Sequence, residues 1–141
     1  MITTRNELGV ALIAPEGDYD HGELARAFEQ VFTLFPGGRA PGLVLDLSRA
    51  HPVDGQSVVR VRERTRLLSL HAERFGWRVA VVAPVPALVA TDVTATDVAA
   101  RMTRSYGVAY RVCRDVAEAR RWALGTPPAG GTGGAAEERL R

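Results

Sequence analysis

Cys113 is the one thiol in a chain of 141 residues, and it stands beside Arg114. A neighbouring cation lowers a thiol's pKa and favours the nucleophilic thiolate. A working cysteine also needs a base, and none of His21, His51 and His71 is near it in sequence. A cysteine closing a strand packs more often than it reacts. The three histidines have no ligand spacing, so no metal is expected. Asp18, Asp20 and Asp46 fall at the ends of strand-like runs, where turn and cap roles account for them. The Gly131-Thr132-Gly133-Gly134 run lacks the following Lys-Ser/Thr and the preceding strand of a phosphate loop, and is taken as linker. These residues make no catalytic set. The expectation is a protein that is not an enzyme and uses no cofactor.

The segment Asp54-Gly55-Gln56-Ser57 is the stronger candidate, as a binding site. It opens the longest helix pattern, where free N–H groups and the helix dipole favour negative charge. A phosphate on Ser57, or an anionic ligand, would be stabilised there. The plainer account makes Asp54 an N-cap and Ser57 a first-turn residue. The helix continues with Arg60, Arg62, Arg64, Arg66 and Arg74, opposed by Glu63 and Glu73. At about 100° per residue, Arg60 and Arg64 share one flank and Arg62 and Arg66 another. Asp54, Gly55, Gln56, Ser57, Arg60 and Arg64 are therefore the expected partner- or ligand-binding residues. An acidic partner suits the arginines, and a solvated face is the plainer account. Val59, Leu67 and Leu70 fall off the stripe expected to face the core, which adds a candidate contact surface for a partner or a second copy.

The elements that hold these residues follow from periodicity. Residues 2–5 and 9–14 predict a hairpin around the turn-like Asn6-Glu7-Leu8-Gly9. Residues 21–35 predict a helix, with Leu24, Phe28, Val31, Phe32 and Phe35 inward, Asp20 as N-cap and Pro36-Gly37-Gly38 as its stop. Residues 42–47 predict a central strand, and residues 48–54 a loop. Residues 55–75 predict the long helix, with Val58, Val61, Thr65, Leu68, Ala72 and Phe75 on one face and Gly76 closing it. Residues 77–83 and 108–113 predict two further strands. Between them, residues 87–106 predict a helix with Val89, Val93 and Met102 inward. Asp115 caps a last helix through Ala123. The alternation implies right-handed βαβ crossovers. The fold class is α/β: a single-layer, mixed, mostly parallel five-stranded sheet with about four helices.

Composition agrees with one such domain over residues 1–124. Apolar residues make up 46% and charged residues 24%, a globular balance. The tail 125–141, with Pro127-Pro128 and GGTGG, is expected to be disordered. All 18 basic residues are arginine, yet the net charge is only +2, too small to imply nucleic acid. No apolar run is long enough for a membrane span. The first residues have no basic stretch leading into an apolar one, so no secretory leader is expected, and the location expected is cytoplasmic. A lone cysteine, with no internal disulfide, suits that reducing compartment.

Several stretches resemble the STAS domain, the family of bacterial anti-sigma-factor antagonists, and in particular a divergent branch similar in fold to the CRAL-TRIO lipid-binding domain. Gly9 to Ile13 followed by Glu16-Gly17-Asp18-Tyr19-Asp20 resembles the family's second strand and its ending. Leu43-Val44-Leu45-Asp46-Leu47-Ser48 resembles its hydrophobic-DLS strand. Val53-Asp54-Gly55-Gln56-Ser57 stands at its I-D-S-S-G loop. Arg114-Asp115-Val116, Ala119 and Trp122 resemble the divergent branch's closing motif. The resemblance spans about residues 2–124. It implies a non-enzymatic regulatory module that binds a protein, such as a kinase or anti-sigma factor, through the loop and the start of the long helix, with homodimers among the options. The alternative it implies is a carrier for a small apolar or anionic ligand. In switch-type members a loop serine is phosphorylated. Aligned on Asp54, that position is Gln56 here, and Ser57, the candidate acceptor, comes one residue later.

Overall fold

A computed structural model of the chain describes residues 1–52, 58–82, 101 and 103–125. Side-chain placement within residues 51–61 lies outside that description. Strands β1 (Ile2–Glu7) and β2 (Val10–Pro15) form an antiparallel hairpin with Glu7 opposite Val10. Leu8 and Gly9 close it with φ of 49° and 100°. Two positive φ values give the turn a twist that matches the strands. Asn6 Oδ1 accepts the Gly9 N–H at 2.9 Å.

A short strand β3 (Gly17–Tyr19) follows, then helix α1 (His21–Val31). Asp20 caps α1 as expected, its Oδ1 accepting the Glu23 N–H at 2.8 Å. The expected helix 21–35 is shorter in fact. It passes into a 3₁₀ turn at Phe32–Leu34, and Phe35 is extended because Pro36 follows. Strand β4 (Leu43–Asp46) is next, then β5 (Ala50–Pro52) and helix α2 (Val58–His71), which ends in a 3₁₀ turn at Ala72–Phe75. Gly76, in the left-handed region, stops it. Strands β6 (Arg78–Val82) and β7 (Ala109–Cys113) complete the sheet. Helix α3 (Val116–Ala123) closes the described chain, capped by Asp115 accepting from Glu118 N–H. The helix expected at 87–106 lies largely outside the described residues; 101 and 103–105 are helical.

The sheet order is β1-β2-β4-β6-β7, antiparallel only at β1–β2. That is the mixed, mostly parallel five-stranded sheet expected. Strands β3 and β5 form a separate parallel ribbon, pairing Gly17 with Ala50 and Tyr19 with Pro52. Both stretches correct the sequence reading, which gave Asp18 a turn role and residues 48–54 a loop.

The sheet is covered unequally. One face carries Ala11, Ile13, Leu43, Leu45, Val79 and Val81, packed under α1 and α2 with Phe28, Phe32, Leu68 and Phe75. The other carries Val10, Leu12, Val44, Ala80 and Val82, packed under α3 with Ala119 and Trp122. The central strands are thus apolar on both faces, as continuous apolar runs require. Gly42 lies where the last turn of α3 crosses the chain before β4. A Cβ there would clash with the carbonyl of Ala123.

Candidate functional site

The segment 54–57 lies outside the described residues, and so do the contacts of Ser57. Arg60 falls in the first turn of α2, with its side chain outside the description. The ribbon places Pro52 beside Tyr19, so the segment leaves from a point paired with the end of β3, just before α1.

Arg64 is half-buried and donates a hydrogen bond to the Tyr19 hydroxyl, on the β3–β5 ribbon. Burial raises the Tyr19 pKa, and the charge and hydrogen bond of Arg64 oppose the rise. Tyr110, on β7, is also buried, and burial raises its pKa against the charges of Arg64 and Arg104. The Arg64 charge therefore acts on both phenols. Arg62 and Arg66 stand on the exposed flank one turn apart. Leu70, one further turn along, is 72% exposed. Residues four apart share a face, so Arg62, Arg66 and Leu70 form one row. Among the described residues no ion pair reaches Arg62 or Arg66. Leu67 corrects the sequence reading: it is 8% exposed and belongs to the core. Thr65, Leu67 and Leu68 are all buried on α2, which packs against α1.

The remaining candidates resolve into structure. Cys113 is buried in the core under α3. Asp46 Oδ1 accepts the N–H and hydroxyl of Ser48, at 3.0 and 2.6 Å. His21 Nδ1 lies 3.8 Å from Glu63. His71 stacks on Phe28 and Phe32, with ring centroids at 5.4 and 6.1 Å. Its Nδ1 is buried with no hydrogen-bond partner. Burial, and then the charge of Arg74, lowers its pKa, while Glu29 acts the other way. Among the described residues no group of three His, Cys, Asp or Glu side chains converges.

One concavity was not anticipated. On the α3 face, at the carboxyl end of the parallel strands, lies a cavity of about 410 Å³. Its lining is mixed: Leu12, Ala14, Val82 and Val116 border it, with Arg5, Arg49 and Arg114 and with Glu16, Asp46 and Asp115. Open α/β sheets take ligands at that edge. The available signal was positional: Arg49 and Arg114 each follow closely on a strand's carboxyl end.

The chain is similar to a crystal structure of an uncharacterised protein from the DUF3478 family, with a SpoIIAA-like fold, from Shewanella loihica PV-4. The TM-score is 0.52 at 17% identity, over 87% of this chain and 92% of that one. This protein has that SpoIIAA-like, STAS-type fold. No protein-family model matches the sequence, and no curated protein is similar to it. No helix of the described residues is long and apolar enough to cross a membrane.

Proposed function

We propose that this chain is a non-enzymatic regulatory module of STAS type, binding an acidic protein partner through the 54–57 segment, the start of α2 and its outer flank. The row Arg62, Arg66 and Leu70 supports this reading most. Like charges at i, i+4 weaken a helix by about 0.2–0.5 kcal/mol, so the pair does nothing for α2 itself. An exposed leucine at the end of the row leaves apolar area in water that a partner would bury. Cation pairs beside an apolar anchor match an acidic surface, which would also gain from steered association.

The test is capture of partners from the source cells by the tagged full chain. Arg62→Glu with Arg66→Glu should melt as the wild type does and lose the partner. Ser57→Glu should fold and change its retention, since negative charge in a first turn is tolerated. Size-exclusion chromatography distinguishes a second copy: a dimer abolished by the same pair of substitutions would make the partner the protein itself. Capture unchanged in both variants would refute the reading.

A further inference from the structure

We propose that a second copy of this chain pairs antiparallel along the open edge of β1, with Thr4 on the two-fold axis, so that two sheets join into one. The pairing uses none of the residues of the α2 row, so it stands or falls separately from the partner surface.

Strands β1 and β7 border the sheet, and they are finished differently. At β7 the Ala109 N–H donates toward β6, to the Trp77 carbonyl, so the groups of the next residue point outward. There the carbonyl oxygen of Tyr110 accepts from Arg104 Nη2 at 3.1 Å, and a cation occupies the middle of that edge. At β1 the pairing with β2 runs unbroken from Ile2–Pro15 to Glu7–Val10, with no bulge and no proline in β1. Alternate residues of a strand send their backbone groups to opposite sides. Ala11, opposite Asn6, donates away from β1 to the Gly42 carbonyl, which marks Asn6–Ala11 as a wide pair with both residues facing outward. Ile2, Thr4 and Asn6 therefore aim their N–H and C=O groups at the open edge. Among the described residues nothing bonds to those groups. An edge of this kind is a template for another strand.

The strand is its own complement. With Thr4 on the axis, Ile2 meets Asn6 of the second copy and Thr4 meets Thr4, so every outward N–H finds a carbonyl. Threonines directly opposite each other are a favourable cross-strand pair. On the other face the exposed Thr3 stands opposite the exposed Arg5, and Arg5 is already bound to Glu7 of its own strand at 2.9 Å. No charge meets its like in this register, whereas an axis at Arg5 would set two cations face to face. Helix α1 packs on both β1 and β2. Neighbouring strands lie about 4.8 Å apart, so a helix centred on that pair stands about 9–10 Å from its symmetry mate, close to the spacing of packed helices. The two helices then seat against each other. A foreign extended peptide would gain the ladder without that second contact, which is why the copy is the better occupant.

The experiment is sedimentation equilibrium with amide hydrogen exchange on the full chain, its N-terminus untagged. A monomer–dimer equilibrium should favour the dimer by about 1 mM. The amides of Thr4 and Asn6 should be protected there and exchange freely on dilution, while the Arg5 amide, which faces β2, stays protected at both concentrations. Thr4→Pro removes only an outward N–H, at a position where an edge strand tolerates proline, and should weaken the dimer about tenfold or more. Thr3→Glu, opposite Arg5, should tighten the dimer about fivefold, and Thr3→Lys should weaken it by about as much. Both are exposed changes, so they report on the register even if Thr4→Pro fails to fold. Arg62→Glu with Arg66→Glu should dimerise as the wild type does. A chain still monomeric at about 1 mM, a dimer whose Thr4 amide is unprotected, a folded Thr4→Pro variant that dimerises unchanged, or Thr3 variants that shift in the same direction would each overturn the proposal. So would a Thr4 amide protected only when another protein is present, which would give the edge to a foreign strand.

Discussion

Arg78, at the start of β6, donates from Nε and Nη2 to the carbonyl oxygen of Trp122, at 3.2 and 2.5 Å, while its guanidinium lies 4.2 Å from the centre of the Trp122 ring. One side chain thus holds both the backbone and the indole of the last turn of α3. Arg78 is only 7% exposed, so neither interaction is diluted by water. Lysine has no planar fork and stacks less well. Arg78→Lys should lower stability by about 1–3 kcal/mol, the cost of breaking a charge-assisted hydrogen bond in a buried site. Denaturant unfolding measures it, and a decrease under a few tenths would show the pairing to be incidental.

Leu8 occupies the left-handed region, φ 49°, at the first position of the β1–β2 turn, with its side chain 71% exposed. A leucine there has neither backbone preference nor burial in its favour. Asn followed by glycine is the preferred pair for this turn. Leu8→Asn should stabilise the chain by about 0.5–1 kcal/mol, since left-handed backbone costs a branched side chain about that or more. A higher melting temperature is the expected result.

Gly42 supports the opposite expectation. Its missing Cβ leaves room for the Ala123 carbonyl, and backbone on both sides cannot give way cheaply. Gly42→Ala should destabilise by about 1–3 kcal/mol, the range for overpacking. Loss of hydrogen-exchange protection should appear first in α3, and protection reduced uniformly instead would place the strain elsewhere.

His71 makes stability depend on pH. Its folded pKa is lowered below 6.5, so the unfolded chain takes up the proton first as pH falls. Stability is therefore present above pH 6.5 and is lost as pH drops through the folded value. The stacking on Phe28 and Phe32 admits a phenyl ring, and the unpartnered Nδ1 disappears with it. His71→Phe should stabilise the protein more at pH 5.5 than at pH 8. An identical gain at both values would mean that His71 does not titrate in this window.

The succession of strands and helices along the chain, the hairpin and the caps at Asp20 and Asp115 were legible in the sequence, because each rests on local pattern. Apolar runs such as Leu43–Asp46 mark strands without tertiary information. The β3–β5 ribbon was not legible. Three residues carry no periodicity, and Gly17 and Asp18 read as a turn by composition. Leu67 was misjudged because a single helical stripe ignores the neighbour, α1, against which α2 packs. Of the expected site, Arg64 was identified by charge but not by its bond to Tyr19, which arrives from a distant part of the chain. The cavity assembles β1, β2, β4, β6 and the start of α3, and no local window contains it.

Among the described residues helix α3 comes after every strand, and it alone covers its face of the sheet. During synthesis the hairpin, α1, β4, α2, β6 and β7 all precede α3, and they carry the opposite core. Val10, Leu12, Val44, Ala80 and Val82 then face outward until α3 emerges from the ribosome and Arg78 can take hold of Trp122. Translation thus leaves a nascent sheet with one bare apolar side, the kind of surface that chaperones hold and that aggregates seed from.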